Sequence, residues 1–178
     1  MKMLKKLLAV VLTGAMALTL LTACGGNAVR DKDIADAMND IIKSSAAAAG
    51  RTDVITFTPR AKEREMAQKI AELLEKEAAT ATVADGKDDF EEAYKNILAN
   101  EKDFVWVGTV VIDELGVSEQ AYQLLDKLLE TDDAYNYKSL EGKTPADTRY
   151  MGSALCKATY YGETRTARVV VVTAPVEG

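Results

Sequence analysis

The chain opens MKMLKKLLAVVLTGAMALTLLTACGG, and this stretch decides how much of the polypeptide is available to fold. Lys2, Lys5 and Lys6 give a cationic start, residues 7–21 are almost wholly apolar, and small residues lead up to Cys24. That layout is a secretory signal, which is processed rather than packed. It is short for a permanent span, which takes roughly 20 apolar residues. Setting residues 1–23 aside leaves 155 of the 178, the size of one domain. Such a chain buries about 68–70% of its unfolded surface and can build a core without disulfide staples.

The segment Leu21-Thr22-Ala23-Cys24 resembles the lipobox of bacterial lipoproteins. The resemblance implies a diacylglycerol on the Cys24 thiol and cleavage that leaves Cys24 as the first mature residue. Residues 24–30, with Gly25, Gly26 and Asn27, then read as a short flexible tether. Each buried methylene of an acyl chain contributes about 0.8 kcal/mol, and two chains suffice for stable anchoring. The expected location is the extracytoplasmic face of the cell membrane. The covalent lipid is the one non-protein group the sequence calls for; no other cofactor is expected.

Loss of three leader lysines takes the net charge from −6 to −9. An acidic domain without a basic run is a poor partner for nucleic acid. Once Cys24 is lipidated, Cys156 is the remaining thiol, so no internal disulfide can form. Cys156 lies in ALCKATYY among small residues, and burial as a small apolar side chain is expected.

Along residues 29–48, Ile34, Ala37, Met38, Ile41 and Ile42 form a helical stripe that stops at Gly50. DVITF (53–57) reads as a short strand, after which Thr58 as cap and Pro59 at the first position start a second helix to about Ala79. Asp88 and Asp89 precede a third helix with Phe90, Tyr94, Ile97 and Leu98 on one face. DFVWVGTVVID (103–113) is β-branched and aromatic, a central strand with Trp106 in the core. Ser118 is expected to cap a fourth helix, with Val117 stapled onto Tyr122. Residues 131–149 read as irregular, and YMGSALCKATYY turns at Gly162 into TRTARVVVVT, a hairpin. The order α-β-α-α-β-α-β-β implies an α+β fold with an antiparallel sheet of about four strands covered by helices.

That order resembles the CAP superfamily of cysteine-rich secretory, antigen 5 and pathogenesis-related proteins, which are α-β-α sandwiches. The likeness runs over nearly all of residues 30–173, within a domain set at 31–178. Its local carriers are the helix, strand and Pro-led helix of residues 34–74, Asp85-Gly86 with Phe90, Val107-Gly108-Thr109, and PADTRYMGSA from Pro145. Many relatives in that superfamily carry two histidines and acidic residues in a central cleft, sometimes with a divalent metal. This chain has no histidine. In the aligned positions Ala81 stands for the first histidine, Thr109 for the strand glutamate, and ETDDAYNY (130–137) for the Ser-Pro-Gly-His turn. The resemblance thus implies a cleft without its metal-binding and acid–base groups.

The residues themselves say the same. Zinc wants imidazole or thiolate ligands, which one cysteine cannot supply; no phosphate loop is present, and no histidine-based nucleophile can be built. Asp85, Asp88, Asp89, Glu91 and Glu92 lack EF-hand spacing, and a turn with a helix N-terminus accounts for them. Tyr135, Tyr137, Tyr150, Tyr160 and Tyr161 offer apolar area with polar tips, suited either to recognition or to hairpin and loop packing. By the resemblance Tyr135 and Tyr137 border the altered cleft. The expectation is therefore a membrane-anchored, non-catalytic module that binds a peptide, glycan, lipid or protein at Thr109, Asp133, Tyr135 and Tyr137. A divergent hydrolase using cleft carboxylates and a structural envelope protein stand as alternatives.

Overall fold

The computed structural model describes residues 30–52, 54–80, 95–99, 101–130, 143–160 and 163–177. Cys24, the acidic run at 85–92, most of the expected third helix, and Asp133, Tyr135 and Tyr137 lie outside these residues.

Three long helices flank the main sheet: α1 (Asp31–Ala48), α2 (Ala61–Thr80) and α3 (Val117–Glu130). The strands are β1 (Thr56–Pro59), β2 (Phe104–Val111), β3 (Thr144–Pro145), β4 (Thr148–Tyr160), β5 (Glu163–Ala174) and β6 (Val176–Glu177). Four of them form one sheet in the order β1-β4-β5-β2, while β3 and β6 pair in a small separate ladder.

The long hairpin β4–β5 is the spine of the molecule. Val169 to Val172 are fully buried, because β5 is central and covered on both faces. A continuous apolar run rather than alternation is the sequence mark of such a strand. Each of those valines contributes about 1.5–3 kcal/mol by leaving water. Val170 and Val172 face α1 and α3, packing with Ile34, Met38, Trp106, Leu124, Leu125 and Met151. Val169 and Val171 face α2 and meet Met66, Ile70, Leu98, Val105 and Cys156. The result is the expected α+β sandwich, with a helical layer on each side of the sheet.

Two glycines permit this closeness. A Cβ on Gly152 would stand 2.0 Å from the backbone nitrogen of Arg64, so α2 rests directly on β4. A Cβ on Gly108 would fall 2.1 Å from the Trp106 ring, which lies folded over that position.

Several local expectations need correction. The sheet is mixed: β2, β4 and β5 run antiparallel, but β1 lies parallel to β4. A four-residue strand carries no preference for direction; its neighbours decide. Asn39 of α1 exchanges hydrogen bonds with Phe57, accepting from its N–H at 2.7 Å and donating to its carbonyl at 2.9 Å, which closes the outer edge of β1. The strand also sits later than expected, so Thr58 and Pro59 belong to β1 and α2 begins at Ala61. Proline is tolerated there because an edge strand can do without one N–H.

Ser118 does not cap α3. The helix starts at Val117, Gly116 accepts from the Gln120 N–H, and Glu119 takes the Gly116 N–H at 2.8 Å. This is the reciprocal carboxylate half of a capping box, with glycine in the cap place. The Gly50 stop is as expected: α1 ends at Ala48, Gly50 has φ +66°, and the Arg51 N–H reaches back to Ala46.

Candidate functional site

β1 covers only Thr148–Met151 of the thirteen-residue β4, so among the described residues no strand pairs with its outer side from Gly152 onward. Side chains take over the edge. Ser153 N–H donates to Asp31 Oδ1 at 3.1 Å, and Lys157 N–H donates to Glu75 Oε1 at 2.9 Å. On the far edge of the sheet, the Lys127 ammonium donates to the Thr109 carbonyl. Blocking edges with charged side chains keeps a sheet from templating another chain.

At Ser153 the edge closure becomes a network. Asp31, the first residue of α1, is only 5% exposed. Its Oδ1 also accepts from the Ser153 hydroxyl, and its Oδ2 accepts from Arg64 Nε at 2.6 Å. Arg168, 3% exposed, donates through Nη1 to Ser153 Oγ at 2.7 Å and through Nε to Gln120 Oε1 at 2.9 Å. Gln120 in turn donates to the Leu115 carbonyl at 2.9 Å. Four elements thus meet through polar groups: α1, α2, α3 and the β4–β5 hairpin. Burial pulls the Arg168 guanidinium below its ordinary value, with Asp31 opposing the shift. An arginine stays charged under such a shift.

This network forms the wall of an open cavity of about 300 Å³, lined by Arg30, Asp31, Arg64, Ser153, Leu155 and Arg168, with Ala154 between. Arg64 uses only Nε among the described residues; its side chain is 51% exposed, and both terminal nitrogens remain for solvent or a ligand. A guanidinium carries five N–H donors, four of them on those two nitrogens. Arg30 is well exposed and pairs with Asp33. The lining therefore brings three guanidinium groups to Asp31 and, beside it, Asp33, an excess of one positive charge, with the Ser153 hydroxyl proton held by Asp31 and the outer nitrogens of Arg64 left facing the cavity. Chemically, that is a place for an anion.

A second cluster lies one residue along α2. Glu63 is fully buried and takes Arg60 Nε at 2.7 Å, Arg60 Nη2, and the Thr173 hydroxyl at 2.6 Å. Burial alone would push this carboxyl up, but the hydrogen bonds from Arg60 and Thr173 outweigh it and hold the group below its ordinary value. Arg60 is raised chiefly by its hydrogen bond to Glu63 and stacks on Tyr150 with 3.9 Å to the ring centre.

Of the residues expected at the site, Thr109 is half-buried on β2, in register with Val169, which also pairs with Ala154. It therefore shares the α2 side of the sheet, whereas Ser153 and Arg168 point to the α1 and α3 side. Asp133, Tyr135 and Tyr137 fall outside the described residues. Tyr150 is a packing partner for Arg60. Cys156 is 2% exposed, and burial followed by the charge of Glu75 pushes its thiol up to about 11.

Sequence reasoning missed Asp31, Arg64, Ser153 and Arg168. Only Arg168 left a signal: a charge within ARVVVVT, on a strand buried on both faces, has to be buried too. Asp31 and Arg64 look like ordinary solvated positions in charged helical stretches.

Compared with known protein families, curated proteins and solved structures, the chain matches none. Among the described residues, no group of carboxylates, cysteines or histidines could hold a metal ion, and no helix is long and apolar enough to cross a membrane.

Proposed function

We propose that this chain is an extracytoplasmic module, held on the membrane by lipid at Cys24, that binds an anionic group without turning it over. The pocket beside Ser153 is its ligand site, and the scaffold is a diverged CAP-like sandwich. One observation carries the reading: a buried arginine, a half-exposed arginine with free donors and a serine hydroxyl converge on one open cavity. Burying a guanidinium costs several kcal/mol even after relaxation, and a hydrophobic residue would serve stability as well or better. A binding role gives that buried charge a use. The order of elements and the two layers of helices support the scaffold assignment; the lipobox residues support the anchor.

The site is tested with the full chain carrying Cys24→Ser, titrated with sodium acetate and with inorganic phosphate while backbone and arginine side-chain resonances are followed. Saturable shifts at Ser153, Arg64 and Arg168 are expected with at least one anion. No shift at any of the three with either anion would end the reading. The anchor is tested by growing cells with labelled fatty acid: label on the wild-type chain and none on Cys24→Ala is expected, and an unlabelled wild type would contradict it.

A further inference from the structure

Arg30 both lines the pocket and marks the end of the tether, and that coincidence says where the pocket sits. Five residues separate Cys24 from Arg30, and whatever path they take, six steps of chain reach at most about 20 Å. A lipid on Cys24 therefore keeps the mouth of the pocket within that distance of the bilayer surface. Charge points the same way. The mature domain carries −9, yet where the tether enters three arginines outnumber the two aspartates they meet, Asp31 and Asp33. An acidic domain is repelled by anionic headgroups as a whole, so a local cationic patch at the anchored end turns that end toward the membrane.

We propose that the pocket binds the phosphate group of an anionic phospholipid headgroup in the leaflet that carries Cys24. This rests on the anion-binding reading above and adds the ligand's chemistry and source. A phosphate fits the lining better than a carboxylate because its oxygens point in several directions. One oxygen can take the free terminal nitrogens of Arg64, another the Nη1 of Arg30, whose Nε and Nη2 hold Asp33, while Ser153 and Arg168 stand behind. Asp31 keeps Arg64 aimed by holding Nε alone. Local concentration does the rest, because the anchor turns headgroup binding into a nearly intramolecular event. The pair of contacts, lipid and headgroup, fixes the orientation of the domain on the surface.

The experiment uses the full chain with Cys24→Ser, so that the anchor cannot carry it to the vesicle. Co-sedimentation is measured with vesicles of phosphatidylcholine alone and of phosphatidylcholine mixed with phosphatidylglycerol. Calorimetric titrations with inorganic phosphate and with acetate run beside it. Binding to the mixed vesicles, little to phosphatidylcholine, and weak saturable binding of phosphate are expected. Arg64→Gln should weaken both by about tenfold, one charge-assisted contact. Arg30→Gln, at a well-exposed position whose backbone N–H bond to Asp33 the substitution keeps, should weaken vesicle binding by a smaller factor, with urea denaturation checking that the fold is retained. Phosphate binding without vesicle binding would assign the pocket to a soluble phosphate and overturn the headgroup source. Acetate binding without phosphate binding would overturn the phosphate chemistry while leaving an anion site. Vesicle binding unchanged in both arginine variants would place the membrane contact elsewhere. Failure of both anions to bind would remove the site itself.

Discussion

The first turns of α1 and α2 hold two acid–arginine clusters built from the same parts and finished differently. In one, Glu63 is wholly enclosed: Arg60 and Thr173 satisfy it, and Tyr150 lies flat against the guanidinium. In the other, Asp31 is almost as buried, yet the arginine it holds keeps its outer nitrogens facing an open cavity. Adjacent residues of α2, Glu63 and Arg64, serve the two clusters. The difference shows how burial of the acid can end in structure in one case and in a receptive surface in the other. A closed cluster spends its donors internally; an open one presents them.

The strongest way to break the comparison is at their shared support. Gly152→Ala places a methyl group 2.0 Å from the Arg64 backbone, an obstacle that cannot rotate away. Stability should fall by about 3 kcal/mol or more, read by urea denaturation, with both clusters displaced. A loss under about 1 kcal/mol would mean that α2 does not rest on β4 as described.

Glu63→Ala comes next and should separate the two clusters. It strands Arg60 beside a buried site and should cost about 3 kcal/mol, while phosphate affinity measured on the folded protein stays unchanged. The same carboxyl sets an acid limit. Because its folded value lies below the ordinary 4.5, its contribution is present above that pH and disappears as pH falls through the lower folded value. Thermal melts should therefore show a steeper acid loss in the wild type than in Glu63→Gln.

Arg64→Gln is expected to do the reverse. With the side chain half in water, its bond to Asp31 is screened, and the stability loss should be about 1 kcal/mol or less. The effect on phosphate binding should be the larger one. If denaturation showed Arg64→Gln to be as damaging as Glu63→Ala, the open cluster would be structural after all.

The smallest effect is a control away from both. Cys156 belongs to the α2-side core, and its raised thiol stays protonated at neutral pH. Native protein should react with a thiol reagent at pH 8 far more slowly than urea-unfolded protein, and phosphate should not change that rate. Fast native labelling would show that the α2 layer opens.

Much of the fold could be read before any coordinates. The valine run, the Trp106 strand, the Gly50 stop and the pairing of β4 with β5 are set by local pattern, and local pattern is what a single sequence displays. The direction of β1 and the true caps of α2 and α3 could not be read that way. They depend on Asn39 reaching Phe57, on Pro59 finding an edge, and on Gly116 using Glu119. The pocket was nearly invisible for the same reason. Asp31, Arg64, Ser153 and Arg168 lie up to 137 residues apart, and no spacing rule connects them. The cleft inferred from resemblance rests on Thr109 and on residues 133–137, most of which the described structure does not include.

One spectrum tests the contrast most directly. In the full chain with Cys24→Ser, inorganic phosphate should shift the Ser153 amide and the Arg168 Nε–H saturably, since both residues line the pocket, while the Arg60 Nε–H, which lies outside it, stays where it was. Equal movement of Arg60, or stillness at Ser153 and Arg168 together, would contradict the account.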